Sequence, residues 1–186
     1  MAENRKYTRS SKSAASSRPV DEYGHLQPQA IDFEEAVIGA LMIEKDAYSV
    51  ISEILRPESF YDHKHQLIYK AITTFAMRQQ PIDILTVAEQ LRSTGELAEA
   101  GGPFYITQLS GKVASSAHIE YHARIIAQKF LARELITFTS NIQTKAFDET
   151  QDVDDLMQEI DFLPIVLLQN LFLTSNPPSI FSKDMA

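Results

Sequence analysis

Apolar residues along this chain recur at helical spacing. Phe33, Ala36, Val37, Ala40 and Leu41 fall at i, i+3, i+4, i+7 and i+8, which predicts an amphipathic helix opened by a capping-box pair, Asp32 and Glu35. Asp46 is placed to cap a second, short helix with Val50, Ile51, Ile54 and Leu55 on one face, and the proline of "RPES" stops it by disfavouring helical backbone in the residue before it. Asp62 then caps a third helix, along which Leu67, Ile68, Ala71, Ile72, Phe75 and Ala76 repeat toward "RQQP". Thr86 and Glu89 form a T-x-x-E start ahead of Val87, Ala88 and Leu91, with Gly95 as the stop. Pro103 opens one more short helix. Ser115 or Ser116 is placed to cap the longest run, "AHIEYHARIIAQKFLARELITFTSNIQTKAF", which holds no glycine or proline and keeps apolar positions at Ile119, Ile126, Phe130, Ile136 and Ile142. A helix of that length extends roughly 45 Å, more than a small globule needs, so part of it is expected to leave the core and pair with something. "DETQD" makes a turn, and Asp152 caps a return helix through Val153, Leu156 and Met157, completing a helical hairpin.

No β-alternation of useful length interrupts this pattern, so the expected fold class is all-α. The expected organisation is a disordered basic leader over 1–29, a helical globule over 30–114, a hairpin over 115–160 and an atypical apolar tail over 161–186.

Composition narrows the chemistry. At 186 residues and 44% hydrophobic content the chain has room for one core. It contains no cysteine, which excludes disulfides, thiolate metal sites and cysteine nucleophiles. No stretch supplies the roughly 18 apolar residues that span a bilayer, and a cytoplasmic protein is expected. The net charge of -8 is unevenly spread. Arg5, Lys6, Arg9, Lys12 and Arg18 oppose only Glu3 in the first twenty residues, so setting that +4 aside leaves -12 on the rest. Such a body repels a phosphate backbone, and only the basic leader is suited to a weak contact with DNA.

Each candidate for chemistry has a plainer reading. The segment "SFYDHKHQLIYKAI" is dense in polar groups, but His63 and His65 are two apart and point about 200° from each other on a helix. They are read as structural, together with Phe60, Tyr61 and Asp62. His118 and His122 in "HIEYH" have the four-residue spacing of two-histidine zinc sites. Glu120, however, lies two residues after the first histidine, where H-E-x-x-H requires it directly after, and a third ligand is not evident. "SGKV" holds the only Gly-Lys pair, with Ile106 and Val113 where a Walker A loop needs glycine and Ser/Thr. No G-x-S-x-G elbow is present. Catalytic, cofactor and metal sites are therefore not expected in this chain.

The blocks "LQPQAIDFEEAVIGALMIEKDAYSVISEIL", "PESFYDHKHQLIYKAI", "PIDILTVAEQLRSTGELAEAGGPFYITQL" and "SSAHIEYHARIIAQKFLARELI", followed by "DVDDLMQE", closely resemble the N-terminal domain of bacterial replicative DNA helicases, the DnaB family. The resemblance runs from about Gln27 to Glu159. It implies a helical globule and hairpin that pair into a dimer and a hexameric collar, with primase and a helicase loader as partners in DNA replication. It also implies that ATP, magnesium and unwinding belong to a separate motor domain. Ile126, Phe130, Leu131, Leu135, Val153, Leu156 and Met157 are the candidate dimer surface, each of which would serve equally as intramolecular core.

After Glu159 the chain departs from the family pattern with "IDFLPIVLLQNLFLTSNPPSIFSKDMA". Pro164 is expected to break the return helix, and the apolar cluster around it suits a truncated or frameshifted product, or else a tail that docks on its own hairpin. A free-standing adaptor or inhibitor of the full helicase is the alternative function.

Overall fold

The computed structural model describes residues 26–112, 118–148 and 150–172. Most of the leader, both candidate serine caps at 115 and 116, and the tail beyond 172 lie outside them. Seven α-helices are present among the described residues, with no β-strand: α1 (Ile31–Leu41), α2 (Ala47–Ile51), α3 (His63–Met77), α4 (Ile84–Ser93), α5 (Gly102–Ser110), α6 (Ile119–Ala146) and α7 (Val153–Phe172), with a 3-10 turn at Pro57–Ser59.

The core forms where these helices turn their apolar stripes inward. Val37, Ile38 and Leu41 of α1, Ile68, Tyr69 and Ile72 of α3, and Val87 and Leu91 of α4 are sealed from solvent, as are Ile106 and Leu109 of α5. Burying each such side chain stabilises the fold by about 1.5–3 kcal/mol before entropy is counted. The first third of α6 closes the globule with Ile119, Ala123, Ile126 and Ala127, the spacing of one helical face. No residue of α6 beyond Ala127 is buried. Phe130 and Arg133 still touch the surface of the globule, and the later part of α6 packs against α7, where Leu156 is covered and Lys145 pairs with Glu159 at 2.6 Å. Asp152 accepts from the backbone N–H of Asp154 at 2.9 Å at the start of α7.

Several helix boundaries differ from the sequence reading. Ala30, with no side-chain cap, precedes α1, and Asp32 lies inside its first turn. Glu35 is drawn instead to Lys112 at the far end of α5, so a tertiary ion pair replaces the expected local cap. Helix α4 starts ahead of Thr86, because Asp83 and Thr86 cap each other reciprocally at 2.8 and 3.0 Å. In α2 the expected apolar face is incomplete: Ile51 and Leu55 are buried, whereas Val50 is exposed. Helix α7 continues through Pro164 to Phe172. A single proline removes one backbone donor and costs about 3 kcal/mol, which bends or weakens a helix without ending it when the residues after it hold helical backbone.

Gly95 and Gly101, two of the three positive-φ glycines among the described residues, set turns that other residues would resist. Gly95 after α4 and Gly101 before α5 adopt φ of +78° and +94°, a region that L side chains enter at a cost of roughly 1–2 kcal/mol.

Candidate functional site

The most concentrated polar chemistry lies beneath the junction between globule and hairpin. Glu34 of α1 is only 1% exposed, yet its carboxylate is fully used. It accepts the backbone N–H of Tyr61 at 2.7 Å and of Asp62 at 3.3 Å, and His65 Nδ1 of α3 at 2.7 Å. A carboxylate only accepts, so Nδ1 carries the proton of that bond, and in the neutral ring Nε2 takes the Tyr105 O–H of α5 at 2.7 Å. Burial, and then the charges of Asp62, Glu35 and Glu34, push the Tyr105 phenol well above its ordinary range. It stays a hydroxyl, able to donate to an unprotonated Nε2. The network ties α1, α3, α5 and the segment before α3 into one unit without any group of three ligands suited to a metal among the described residues.

Arg133 of α6 fastens the hairpin to this unit. Its Nη1 donates to the Pro28 carbonyl and its Nη2 to the Ser59 carbonyl, both at 2.8 Å. The guanidinium carbon lies 5.6 Å from the Tyr61 ring centre and 5.7 Å from that of Phe130, within cation–π range. Burial lowers the Arg133 pKa from its ordinary value, opposed by the charges of Glu34 and Glu134 and by Tyr61. Beside it opens a cleft of about 740 Å³ between the 27–31 segment, residues 58–66 and α6.

The candidate surface residues separate into three groups. Ile126 is core at 1% exposure and takes no part in an outer surface, since α6 turns it toward the globule there. Phe130 and Leu131 are half-buried, with Phe130 on the cleft wall, and Leu156 is covered within the hairpin. Leu135, Val153 and Met157 are 43%, 68% and 55% exposed. Phe60 packs its ring 4.9 Å from that of Tyr69, Asp62 caps α3 by accepting from Lys64 N at 2.9 Å, and His65 is fully buried. Tyr61 is partly buried, and its hydroxyl has no partner among the described residues. His118 precedes α6 as its N-terminal cap residue, whereas His122 lies within the helix, edge-on to Phe33 at 5.1 Å.

Glu34, Tyr105 and Arg133 do not stand out in the sequence. Glu34 alone leaves a signal. It lies three, four and seven residues before Val37, Ile38 and Leu41, so a charge occupies the apolar stripe and requires buried partners.

A helical globule with an outgrown hairpin, organised around a structural polar network, defines an all-α domain built on a globule and a hairpin. The family described as DnaB-like helicase N terminal domain matches residues 26–128, and the chain belongs to it. Replicative DNA helicase DnaB of Rhodothermus marinus is 44% identical over 138 residues, 74% of this chain and 15% of that protein. Replicative DNA helicase DnaC of Bacillus subtilis is 37% identical over 136 residues, 73% of this chain and 30% of that protein. The chain thus spans less than a third of the length of these relatives. The crystal structure of the N-terminal domain of DnaB helicase from Mycobacterium tuberculosis superposes with a TM-score of 0.67 at 34% identity, covering 71% of this chain and 93% of that one. A DnaB-like replicative helicase, described with its interactions with primase, shares the fold at a TM-score of 0.58 and 24% identity, over 81% of this chain and 36% of that one. No helix among the described residues is long and apolar enough to cross a membrane.

Proposed function

We propose that this chain serves as the collar domain of a replicative helicase in DNA replication, associating with further copies of itself through α6 and α7 and docking primase or a helicase loader on its globule. Supporting the self-association is a hairpin that carries Leu135, Val153 and Met157 exposed on helices that have left the core. Helix α6 alone, at 28 residues, is about 42 Å long, enough to contribute to the roughly 800 Å² per partner that a stable interface buries. Primase and loader docking rests on family membership. ATP hydrolysis with magnesium, and unwinding, belong on this reading to a motor region outside this chain. DNA contact is confined to the basic leader, and the site of action is the cytoplasm.

Light scattering on the intact chain tests the association, with a dimer mass expected. The double variant Val153→Asp, Met157→Asp places two charges on the exposed face and is expected to run as a monomer with an unchanged helical circular dichroism spectrum. A monomeric wild-type chain at micromolar concentration overturns the self-association, and failure to retain purified primase in a pull-down overturns the primase docking.

A further inference from the structure

We propose that the cleft beside Arg133 is a docking groove for the chain's own basic leader, the stretch from Arg5 to Arg18. The groove has the right sign. Glu58, Asp62 and Glu134 line it against a single guanidinium, that of Arg133, which is already committed to the carbonyls of Pro28 and Ser59. Glu58 and Glu134 make no hydrogen bond or ion pair among the described residues, and although Glu134 feels the Arg133 charge, three carboxylates against one guanidinium leave the rim net negative. Tyr61, on the same wall, has a shielded hydroxyl without a partner there, and an occupant's backbone would supply one.

The leader has the complementary chemistry and starts at the right place. Gln27 and Gln29 themselves line the cleft, so the chain enters the globule along its edge. Eight residues lie between Arg18 and Gln27, a reach of up to roughly 30 Å that permits the chain to turn back. Asp21 and Glu22 fall within this return, which leaves the five Lys/Arg upstream to meet the carboxylates. Between those cations the leader is mostly serine and alanine, "SSKSAASSR", small enough for a polar groove. Exposed ion pairs are individually weak. Tethering at the rim raises the leader's effective concentration to the order of millimolar, so weak contacts suffice for occupancy in cis.

Limited trypsin digestion of the full chain, followed by mass spectrometry, reads the docking at Arg9 and Lys12. In low salt the wild-type leader is expected to be cut about tenfold more slowly than that of the double variant Glu58→Gln, Glu134→Gln, because cleavage tracks the open population. Asp62 is left intact because it caps α3. Raising salt to 1 M, where the screening length is about 3 Å, is expected to bring the wild-type rate up to that of the variant. Equal low-salt rates in the two proteins overturn the proposal. Protection that fades on dilution also overturns it, by assigning the groove to the leader of a second copy.

Discussion

The Glu34 carboxylate and His65 Nδ1 meet at 2.7 Å with both side chains sealed from water, the carboxylate at the same time holding the backbone of the segment that leads into α3. Removing one side of this contact does more than delete a bond. Glu34→Ala strands the imidazole N–H and the N–H groups of Tyr61 and Asp62 together, and is expected to cost about 3–5 kcal/mol, the range for breaking a buried polar pair. Glu34→Gln keeps one acceptor oxygen and is expected to cost roughly 1–3 kcal/mol. Urea denaturation of the two variants checks the order, and a Glu34→Ala protein as stable as wild type refutes it.

Arg133 makes a second, separable prediction. Its two nitrogens reach carbonyls from segments far apart in sequence, Pro28 and Ser59, which a planar fork does and a single ammonium does not. Arg133→Lys is therefore expected to retain one of the two bonds and lose about 1–2 kcal/mol, and Arg133→Ala to lose about 2–4 kcal/mol with both carbonyls released. Thermal melts give the ranking. Faster amide exchange at the Ser59 to Asp62 segment in both variants locates the loss at the junction.

These two residues also show where sequence reading stops. The spacing of Val37, Leu41, Ile68, Ile72, Val87 and Leu91 announced the helices because periodicity is local, and each of those side chains is buried. The capping assignments fail where a second partner, local or distant, competes. Asp83 with Thr86 outranked Thr86 with Glu89, and Glu35 chose Lys112, 77 residues away, over the start of its own helix. His65 finds Glu34 31 residues upstream and Tyr105 40 residues downstream. Such partners are fixed by how α1, α3 and α5 pack, which spacing alone does not encode. Pro164 is a terminator only by a rule whose cost is finite, and α7 absorbs it.

Gly101 links backbone geometry to the network. At φ +94° a Cβ on this residue falls 2.7 Å from Tyr105 Cδ1, so Gly101→Ala incurs left-handed strain and pushes on the ring that donates to His65. Gly95 has a similar φ of +78° but open space around it. Both alanine variants share the roughly 1–2 kcal/mol backbone cost, and Gly101→Ala is expected to be the more destabilising of the two. Equal melting temperatures would show that the Tyr105 ring gives way freely.

The Glu96 carboxyl after α4 is held below its ordinary value of 4.5, first by the Thr94 hydroxyl donating at 2.8 Å and then by Lys70 at 3.1 Å. A carboxyl depressed by folding adds stability that is fully present above its unfolded pKa and is lost as pH falls through the folded value, so this contribution fades in acid and is constant at neutral pH. Thr94→Val removes the larger cause while leaving Lys70 in place. Titration of the Glu96 side-chain carbon by NMR is expected to give a midpoint under 4.5 in the wild type and a higher one in the variant, and an unchanged midpoint would assign the depression to Lys70 instead.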